Sequence, residues 1–500
     1  MLLEIAVFIL VTGILISIID EYFQPKTGLP RVGTDPGPLN LLKWWARWNW
    51  LQHGHEDVIR TYEQKSAVKN YAIQTMMGDT VVLQPEFLGE LNMLPESKLS
   101  STAALVDSVM GQYTGVDHLL KDHLTTDICR GSFTRHLGTF LPIMAEELQT
   151  AMAEKFQFEG NYAPESQTFV AYDVLLSFIH RITSVVFVGK EYGHDPVWNH
   201  AITILPTDVE MTKLILLPFP TFLRRFIAPM IPQRNRVFRQ RIAVRNLLFP
   251  SSKEITALKQ EEPSVMKLFV ESGKDKSPES ITARLMILTG AALHTSSMAI
   301  AHAVYDLCAM PEYIEPLRLE AQTALAQEKG EWTLSVIKRL YRLDSFLKES
   351  QRMNHSSFLG FNRKIMSSIR LSDGTILPRD TVVAAPGGPM SRDPKFYDEP
   401  QRFDGLRFYR ADDSRDASSA STQDYVGIEP GNLSWGNGRF TCPGRWYAAV
   451  MIKLILAKLL LEFDVSFPPG QTGRPLNGKY DTDVHPDFDQ KIVLRRRPTV

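Results

Sequence analysis

The chain has 500 residues, of which 44% are hydrophobic and 22% charged, and its formal net charge is −1. These are ordinary values for a globular protein, so enough apolar residues are present for a large core. The neutral balance and the lack of a long basic run give no support to nucleic acid as a partner. Because no linker of suitable composition divides the chain, we expect one large domain over residues 25–500.

The N-terminal residues are apolar. The run 5–19 carries no charge and, with its neighbours, approaches the roughly 20 residues that a membrane span requires. It lacks the basic segment and the small-residue cleavage site of a cleaved signal peptide, which is the competing interpretation. Basic residues follow the run: Lys26, Arg31, Lys43 and Arg47. We therefore predict a membrane anchor helix over 1–24, a stiff connector over 25–33 and a main domain facing the cytosol.

The next elements are mostly helical. Helical spacing of apolar residues predicts helices over three ranges: 41–65, 127–156 and 169–188. A small hairpin with its turn at Gly78-Asp79 is predicted after the first of them. Residues 97–117 are rich in Ser, Gly and Thr and are interpreted as a long loop near a site. The proline-broken apolar segment 203–231 has basic edges, which is typical of a membrane-surface element or a lid, with a buried core segment as the alternative.

A long buried helix is predicted from Ser277 to Met310. Ser277 supplies a capping hydroxyl, Pro278 suits a first helical position, and Pro311 ends the helix. A helix of about 30 residues that is apolar nearly all round must run through the middle of the domain. Small residues, hydroxyls and one histidine lie at its centre: Gly290, Ala291, Ala292, His294, Thr295, Ser296 and Ser297. A lone histidine among apolar residues is more often part of the core, but beside hydroxyls it can also hold water.

Two further elements precede the C-terminal region. Glu349 and Arg352 lie three residues apart in a helical segment, 340–354, and are therefore close enough to pair. Residues 369–385 alternate around an Asp373-Gly374 turn, which is a strong hairpin signal.

Residues 435–446 read Trp-Gly-Asn-Gly-Arg-Phe-Thr-Cys-Pro-Gly-Arg-Trp. The glycines allow the backbone to approach something flat and bulky. An apolar helix is predicted to begin at Pro443, which places Cys442 at a helix N-terminus, where partial positive charge and free amides favour a metal-ligating thiolate. The alternative is a buried, inert thiol, since free cysteine is among the most buried residue types.

This stretch resembles the haem-binding loop of the cytochrome P450 haem-thiolate monooxygenases. Four positions of the family's pattern are matched: Gly436, Gly438, Cys442 and Gly444. Trp435 replaces the usual Phe and keeps an aromatic ring near the sulfur. Phe440 stands where the family has Arg or His, which removes an expected partner of a haem propionate and leaves Arg439 beside it as a substitute.

Three more elements carry the same resemblance. Residues 291–295 match the family's small-small-x-acid-Thr motif, except that His294 replaces the acid; imidazole has a reference pKa near 6.5 and can relay protons too. Glu349 and Arg352 match the helical Glu-x-x-Arg motif, whose surroundings resemble those of fungal members. Arg407 belongs to a later Phe-x-x-x-Arg-Phe element. The resemblance implies that these three form a buried structural clamp behind the cysteine loop.

The implied fold is mainly α-helical with a minor β subdomain, and haem b lies between the central helix and the cysteine loop. Cys442 is then the axial ligand of the haem iron. Proton delivery is assigned to Thr295, His294 and Ser296. Haem contacts are assigned to six other residues: Trp435, Gly436, Gly438, Arg439, Gly444 and Arg130, with Arg135 as an alternative to Arg130.

The resemblance implies oxidation of an apolar molecule with O2 and with electrons from NADPH. Because no Gly-x-Gly-x-x-Gly follows a strand, the electrons are expected from a separate NADPH–cytochrome P450 reductase, docked on a basic face formed by Arg439, Arg445 and Lys453. In eukaryotic members the anchor lies in the endoplasmic reticulum membrane. Three segments are interpreted as nearly charge-free pocket walls: 286–293, 357–361 and 203–227.

Such a pocket, together with the resemblance to fungal secondary-metabolism oxidases, favours a terpenoid substrate, including diterpene and indole-diterpene scaffolds. A polyketide or alkaloid substrate is the nearest alternative. Two functions of other classes stay open from the sequence: isomerisation or dehydration without net oxygen insertion, and non-catalytic carriage of haem or of an apolar ligand.

Overall fold

The computed structural model describes residues 27–35, 43–64, 69–156, 165–250, 262–409 and 424–498. The anchor predicted over 1–24 lies outside these residues. The described helices of seven residues or more are α1 Lys43–Glu63, α2 Ser101–Ser108, α3 Leu137–Lys155, α4 Ala171–Val188, α5 Pro196–Leu216, α6 Thr221–Ile227, α7 Pro232–Leu248, α8 Val265–Glu271, α9 Pro278–Ala309, α10 Ile314–Gln327, α11 Tyr341–Met353 and α12 Arg445–Glu462.

The described strands are short. They are β1 Tyr71–Thr75, β2 Gly78–Val82, β3 Leu99–Ser100, β4 Ser166–Val170, β5 Gly360–Ile365, β6 Ile369–Arg370, β7 Ile376–Leu377, β8 Val382–Ala385, β9 Phe463–Ser466, β10 Gly478–Tyr480, β11 Asp483–His485 and β12 Lys491–Arg496. A five-stranded sheet has the order β1-β2-β8-β5-β3, and a three-stranded sheet has the order β4-β12-β9. Two hairpins, β6-β7 and β10-β11, complete the β structure of the described residues.

The helices predicted over 41–65, 169–188, 277–310 and 340–354 are confirmed with small shifts of their ends, whereas the one predicted over 127–156 is interrupted at His136, before α3 begins at Leu137. Helix α9 begins after Ser277, whose hydroxyl accepts a hydrogen bond from the Ser280 amide, and it ends before Met310. Helices α4 and α9 are, within the described residues, long and apolar enough to cross a membrane. Both contribute to the main hydrophobic core, and most of the α4 side chains are buried. They are therefore core helices of the domain.

Two local predictions were wrong. The first hairpin turns at Met76-Met77, because Thr75 and Gly78 form its last cross-strand pair. The segment 97–117 is not a long loop, since it contains β3, α2 and further helical turns. The hydroxyl of Ser100 accepts a hydrogen bond from the Ala103 amide (3.0 Å) and caps α2. The polar residues of the segment 97–117 therefore include a helix cap. Composition alone does not distinguish a capping residue from a loop residue.

A buried ion cluster joins α11 to the chain that leads to the cysteine loop. Glu349 and Arg352 are both 0% exposed, and the guanidinium of Arg352 donates two hydrogen bonds to the carboxylate (2.7 and 2.8 Å). The Nε atom of Arg407 lies 3.2 Å from each carboxylate oxygen. Arg352 also donates to the carbonyls of Ser391 (2.6 Å) and Pro400 (2.8 Å). The cluster therefore fastens the irregular chain before the cysteine loop to α11.

Replacing Glu349 with Gln removes the charge that compensates both arginines. An uncompensated buried charge typically costs about 3–5 kcal/mol, so we expect a loss of that size in the free energy of unfolding. Denaturant unfolding followed by circular dichroism measures it.

Glu399→Gln is the matched control. Glu399 and Arg402 pair with the same three-residue spacing as Glu349 and Arg352, but their side chains are 70% and 68% exposed. An exposed pair of this kind contributes less than about 1 kcal/mol. Equal losses in the two variants would contradict the role assigned to burial.

Candidate active site

The cysteine loop, residues 435–444, closes on itself before α12. The amide of Cys442 donates to the carbonyl of Trp435 (2.7 Å), and the indole Nε1 of Trp435 donates to the carbonyl of Tyr425 (2.7 Å). Helix α12 begins at Arg445 rather than at Pro443, so the prediction of its start was wrong by two residues. Cys442 nevertheless precedes the first turn of this helix.

The loop glycines differ in whether the surrounding protein itself excludes a side chain at their positions. Gly436 and Gly438 have φ angles of +78° and +62°, which other residues rarely adopt. A Cβ on Gly438 would lie 2.5 Å from the Asn92 side chain, and one on Gly436 would lie 3.0 Å from the Phe440 carbonyl. A Cβ on Gly444 would meet no atom of the described residues within 4 Å. The protein itself therefore needs glycine at the first two positions and leaves open space at the third.

Cys442 lies deep in the protein but keeps accessible surface, so it borders open space rather than packed side chains. Burial raises the pKa of its thiol, whereas hydrogen bonds from the backbone amides of Gly444 and Arg445 and the charges of Arg445 and Arg130 lower it. Burial is the larger effect. A bound cation offsets this cost, because a ligating thiol is deprotonated by its metal.

Arginines border a cleft of about 260 Å³ beside the loop. It is lined by Arg130, Gly438, Arg439, Thr441, Arg445 and Trp446. Arg130 donates to the carbonyl of Thr441 (2.7 Å), and Arg445 donates to that of Cys442 (3.1 Å). Arg439 is exposed and donates to the carbonyl of Asn92 (3.0 Å). Arg135 does not line this cleft, so the structure brings Arg130 and not Arg135 to the loop.

The basic docking face predicted from Arg439, Arg445 and Lys453 does not exist as such. Lys453 is 6% exposed, and its Nζ lies 2.5 Å from the carboxylate of Asp344. The correction has a simple cause: Lys453 lies on the buried face of α12, where an aspartate of α11 compensates its charge. Arg445 points into the cleft instead.

Sequence reasoning missed Arg363, on β5. This side chain is only 4% exposed, and its Nη1 donates to the carbonyl of Asn362 (2.8 Å). Its Nε and Nη2 atoms are buried and have no hydrogen-bond partner among the described residues. The guanidinium lies over the rings of Phe361 (4.3 Å) and Phe440 (4.7 Å), and burial lowers its pKa to about 10. The cationic guanidinium of Arg363 therefore lies beside Phe440, the residue that stands where the loop usually has Arg or His.

The centre of α9 presents an open stripe. Ala291 and Thr295 are exposed although the helix is otherwise largely buried, and the Thr295 hydroxyl donates to the Ala291 carbonyl (2.7 Å). His294 is half-buried, and its Nδ1 lies 2.9 Å from the hydroxyl of Tyr172. Ser296 is 4% exposed and follows Thr295 by about 100° around the helix. The stripe is therefore formed without Ser296.

The pocket wall 203–227 is not nearly free of charge, so that interpretation was wrong. Asp208 is buried and receives a hydrogen bond from the Nε of Arg236 (2.7 Å), and Glu210 pairs with Lys213 (2.7 Å). The prolines and aromatic residues after Leu214 give the segment its apolar character, although charged residues precede and follow them. The other two walls, 286–293 and 357–361, contain no charged residue.

These residues fit a flat, anionic cofactor that is ligated by sulfur. Cys442 borders open space and the loop glycines allow close approach. Arg363 has two buried donor atoms without a partner in the described part of the chain. Arginine is well suited to bind carboxylates, because its planar guanidinium matches their geometry. Haem b has this combination of a flat ring, an iron and two carboxylates.

Comparisons with known proteins agree. A family model described as cytochrome P450 matches residues 39–485. The chain is 32% identical over 428 residues to the cytochrome P450 monooxygenase olcJ of Penicillium canescens, covering 84% of this chain and 79% of the relative. It is 32% identical over 433 residues to an ent-kaurene oxidase of Gibberella intermedia, covering 85% and 81%. It is 31% identical over 450 residues to the monooxygenase janP of Penicillium janthinellum, covering 87% and 85%.

A solved structure shows the same fold. The retinoic acid bound cyanobacterial CYP120A1 matches with a TM-score of 0.66 and 17% identity over 94% of this chain and 100% of the other. The predicted fold class, mainly helical with small sheets, is confirmed. The chain therefore belongs to the cytochrome P450 family of haem-thiolate monooxygenases.

Proposed function

We propose that this monooxygenase oxidises a large apolar terpenoid of secondary metabolism, taking its electrons from NADPH through a separate NADPH–cytochrome P450 reductase. The observation that carries the chemistry is Cys442, which borders open space within a glycine loop flanked by arginines. The substrate class is supported by the relatives, among which is an ent-kaurene oxidase, whose named substrate is a diterpene. The two charge-free segments 286–293 and 357–361 suit an apolar molecule.

The thiolate of Cys442 would hold the haem iron. Haem b bound in this way would supply the activation of O2, because the sulfur would donate electron density that favours O–O cleavage. Arg130, Arg445 and Arg363 are assigned to the haem carboxylates. Gly436 and Gly438 shape the loop that approaches the ring, the Gly444 amide contacts the sulfur, and the Trp435 carbonyl fixes the Cys442 amide.

Arg439 has weaker support as a haem contact. Its guanidinium is exposed and bonded to the carbonyls of Asn92 and Met93 (3.0 and 3.1 Å). Arg363 is the better-placed replacement for the Arg or His that Phe440 displaces.

Replacing Arg363 with Met is expected to weaken haem retention by about 10- to 100-fold, because hydrogen bonds to charged groups contribute about 1.5–3 kcal/mol each. The haem-free protein should lose no stability, since two donors of Arg363 have no partner there among the residues that the structure describes. Haem transfer to apomyoglobin and unfolding of both forms measure these effects. The matched control is Arg379→Met, because Arg379 is 72% exposed. The assignment would be contradicted if Arg379→Met lost haem faster than the parent chain, or if Arg363→Met did not.

We assign proton delivery to Thr295 and His294. The Thr295 hydroxyl donates to a carbonyl of its own helix, which leaves its oxygen able to accept a hydrogen bond from a pocket water. Burial of Ser296 favours Thr295 over it as the hydroxyl that faces the pocket. His294 occupies the place of the family's acid and supplies an imidazole for the same work.

Thr295→Val is expected to lower product formed per NADPH by at least about tenfold, with the electrons lost as hydrogen peroxide, since positioned proton donors contribute about 10²–10⁴-fold. Thr282→Val is the matched control. Its hydroxyl makes the same 2.7 Å bond to the carbonyl four residues earlier, but Thr282 is 0% exposed and lies outside the segment 286–293. Peroxide and product are measured together, and equal coupling in both variants would exclude the role of Thr295.

We place the protein in the endoplasmic reticulum membrane through an anchor at 1–24. Exposed aromatic side chains support membrane contact: Trp44, Trp45, Trp48, Phe222 and Phe226, which are 43–59% exposed. Tryptophan is enriched at membrane interfaces. Arg224 and Arg225 lie between the two exposed phenylalanines in the chain and suit anionic headgroups. Fractionation of host cells tests this placement: the full chain should be found with membranes, and a soluble full chain would contradict it.

The function is tested with the purified chain, NADPH, reductase and ¹⁸O2. A panel of diterpene hydrocarbons, indole-diterpenes, polyketides and alkaloids is offered. We expect the conversion of a terpenoid to consume NADPH and to place ¹⁸O in the product. Conversion without NADPH or without label would indicate isomerisation or dehydration, and conversion of polyketides or alkaloids alone would overturn the substrate class.

A further inference from the structure

A tyrosine from another helix contacts His294. Tyr172, the second residue of α4, is 7% exposed, and its hydroxyl lies 2.9 Å from Nδ1 of His294 on α9. Burial raises the pKa of Tyr172 to about 12, and burial lowers the pKa of His294. Near neutral pH the phenol therefore keeps its proton and the imidazole is neutral. The hydroxyl then donates, Nδ1 accepts, and the imidazole proton resides on Nε2.

The other ring nitrogen of His294 is open. Within the described ranges, Nε2 of His294 makes no hydrogen bond and is not among the buried unpaired atoms. His302, on the same helix, differs in both respects. Its Nδ1 lies 2.8 Å from Arg474, and its Nε2 is buried without a partner in the described chain. Of these two histidines, only His294 presents a nitrogen to accessible space.

Tyr172 is itself held in place. Its ring packs edge-on against Phe488, with centroids 4.6 Å apart, and Phe488 stacks on His485 at 4.7 Å. The hydroxyl of Tyr172 therefore has a fixed direction, and its bond to Nδ1 limits rotation of the imidazole.

We propose that Tyr172 is a positioning residue for His294, which it holds in the tautomer that carries its proton on Nε2 and presents that nitrogen to the pocket. A carboxylate has two equivalent oxygens and needs no control of tautomer. An imidazole has two different nitrogens, and the partner of one decides the protonation of the other. Because His294 replaces an acid, the tautomer of its imidazole has to be controlled, and the hydroxyl of Tyr172 provides that control. This inference rests on the proton-delivery role proposed for His294.

The test compares Tyr172→Phe with Tyr305→Phe in the full haem-loaded chain. Tyr305 also lies in the core on α9 and loses an equivalent bond, from its hydroxyl to the Asp487 carbonyl (2.7 Å). Nitrogen NMR of ¹⁵N-histidine protein in the diamagnetic ferrous carbon monoxide form reports the tautomer, and His294→Gln assigns the signal. We expect a single Nε2–H tautomer in the parent chain and in Tyr305→Phe, and a mixture of tautomers in Tyr172→Phe.

Coupling gives the second readout. Tyr172→Phe should lower product per NADPH by about fivefold, the size expected for one lost hydrogen bond, without raising the KM for substrate. Added to His294→Gln, it should cause no further loss. Tyr305→Phe should leave coupling unchanged.

The outcomes separate the two levels of the proposal. If His294→Gln lowers coupling while Tyr172→Phe keeps one tautomer and full coupling, the positioning role is wrong and the function of His294 stands. If His294→Gln leaves coupling intact, the proton-delivery role is wrong, and the role of Tyr172 in catalysis is wrong with it.

Discussion

As the proposed ligand of the haem iron, Cys442 carries a negative charge at a place where burial opposes one. Burial raises the pKa of its thiol, and the amides of Gly444 and Arg445 with the guanidinium groups of Arg445 and Arg130 only partly offset it. In the proposed site the metal cation offsets the remaining cost, because ligation deprotonates the sulfur. Under this proposal the loop, the arginine cleft and the cofactor depend on one another.

The buried ion cluster of Glu349, Arg352 and Arg407 shows that a local sequence motif can mark a contact between distant parts of the chain. The three-residue spacing predicts that Glu349 and Arg352 form an ion pair. The same spacing occurs in many surface pairs, which contribute little to stability. In the structure the pair is fully buried, and Arg407 completes it from the segment before the cysteine loop. The long helix from Ser277 was equally predictable, because its cap and its terminating proline are local features. Local periodicity and the motifs thus predicted six of the twelve described helices of seven residues or more, together with the position of the cysteine.

The features that sequence reasoning missed depend on contacts between distant residues. Arg363 lies on a short strand and meets Phe440 only through the fold, so its position in the chain gives no sign of its burial beside the loop. Lys453 was assigned to a surface because its charge suggested exposure, whereas Asp344 compensates it inside the core. The contact between Tyr172 and His294 joins residues 122 positions apart. Spacing along the chain carries no information on such pairs.

Reduction of the purified, haem-loaded chain under carbon monoxide tests the ligation of iron by Cys442 most directly. The account predicts the red-shifted Soret band that thiolate ligation gives, its loss in Cys442→Ser, and its retention in Cys129→Ser, because Cys129 is a buried thiol whose pKa burial raises to about 12. A band without the shift in the parent chain, or substrate oxidation by Cys442→Ser, would contradict the account.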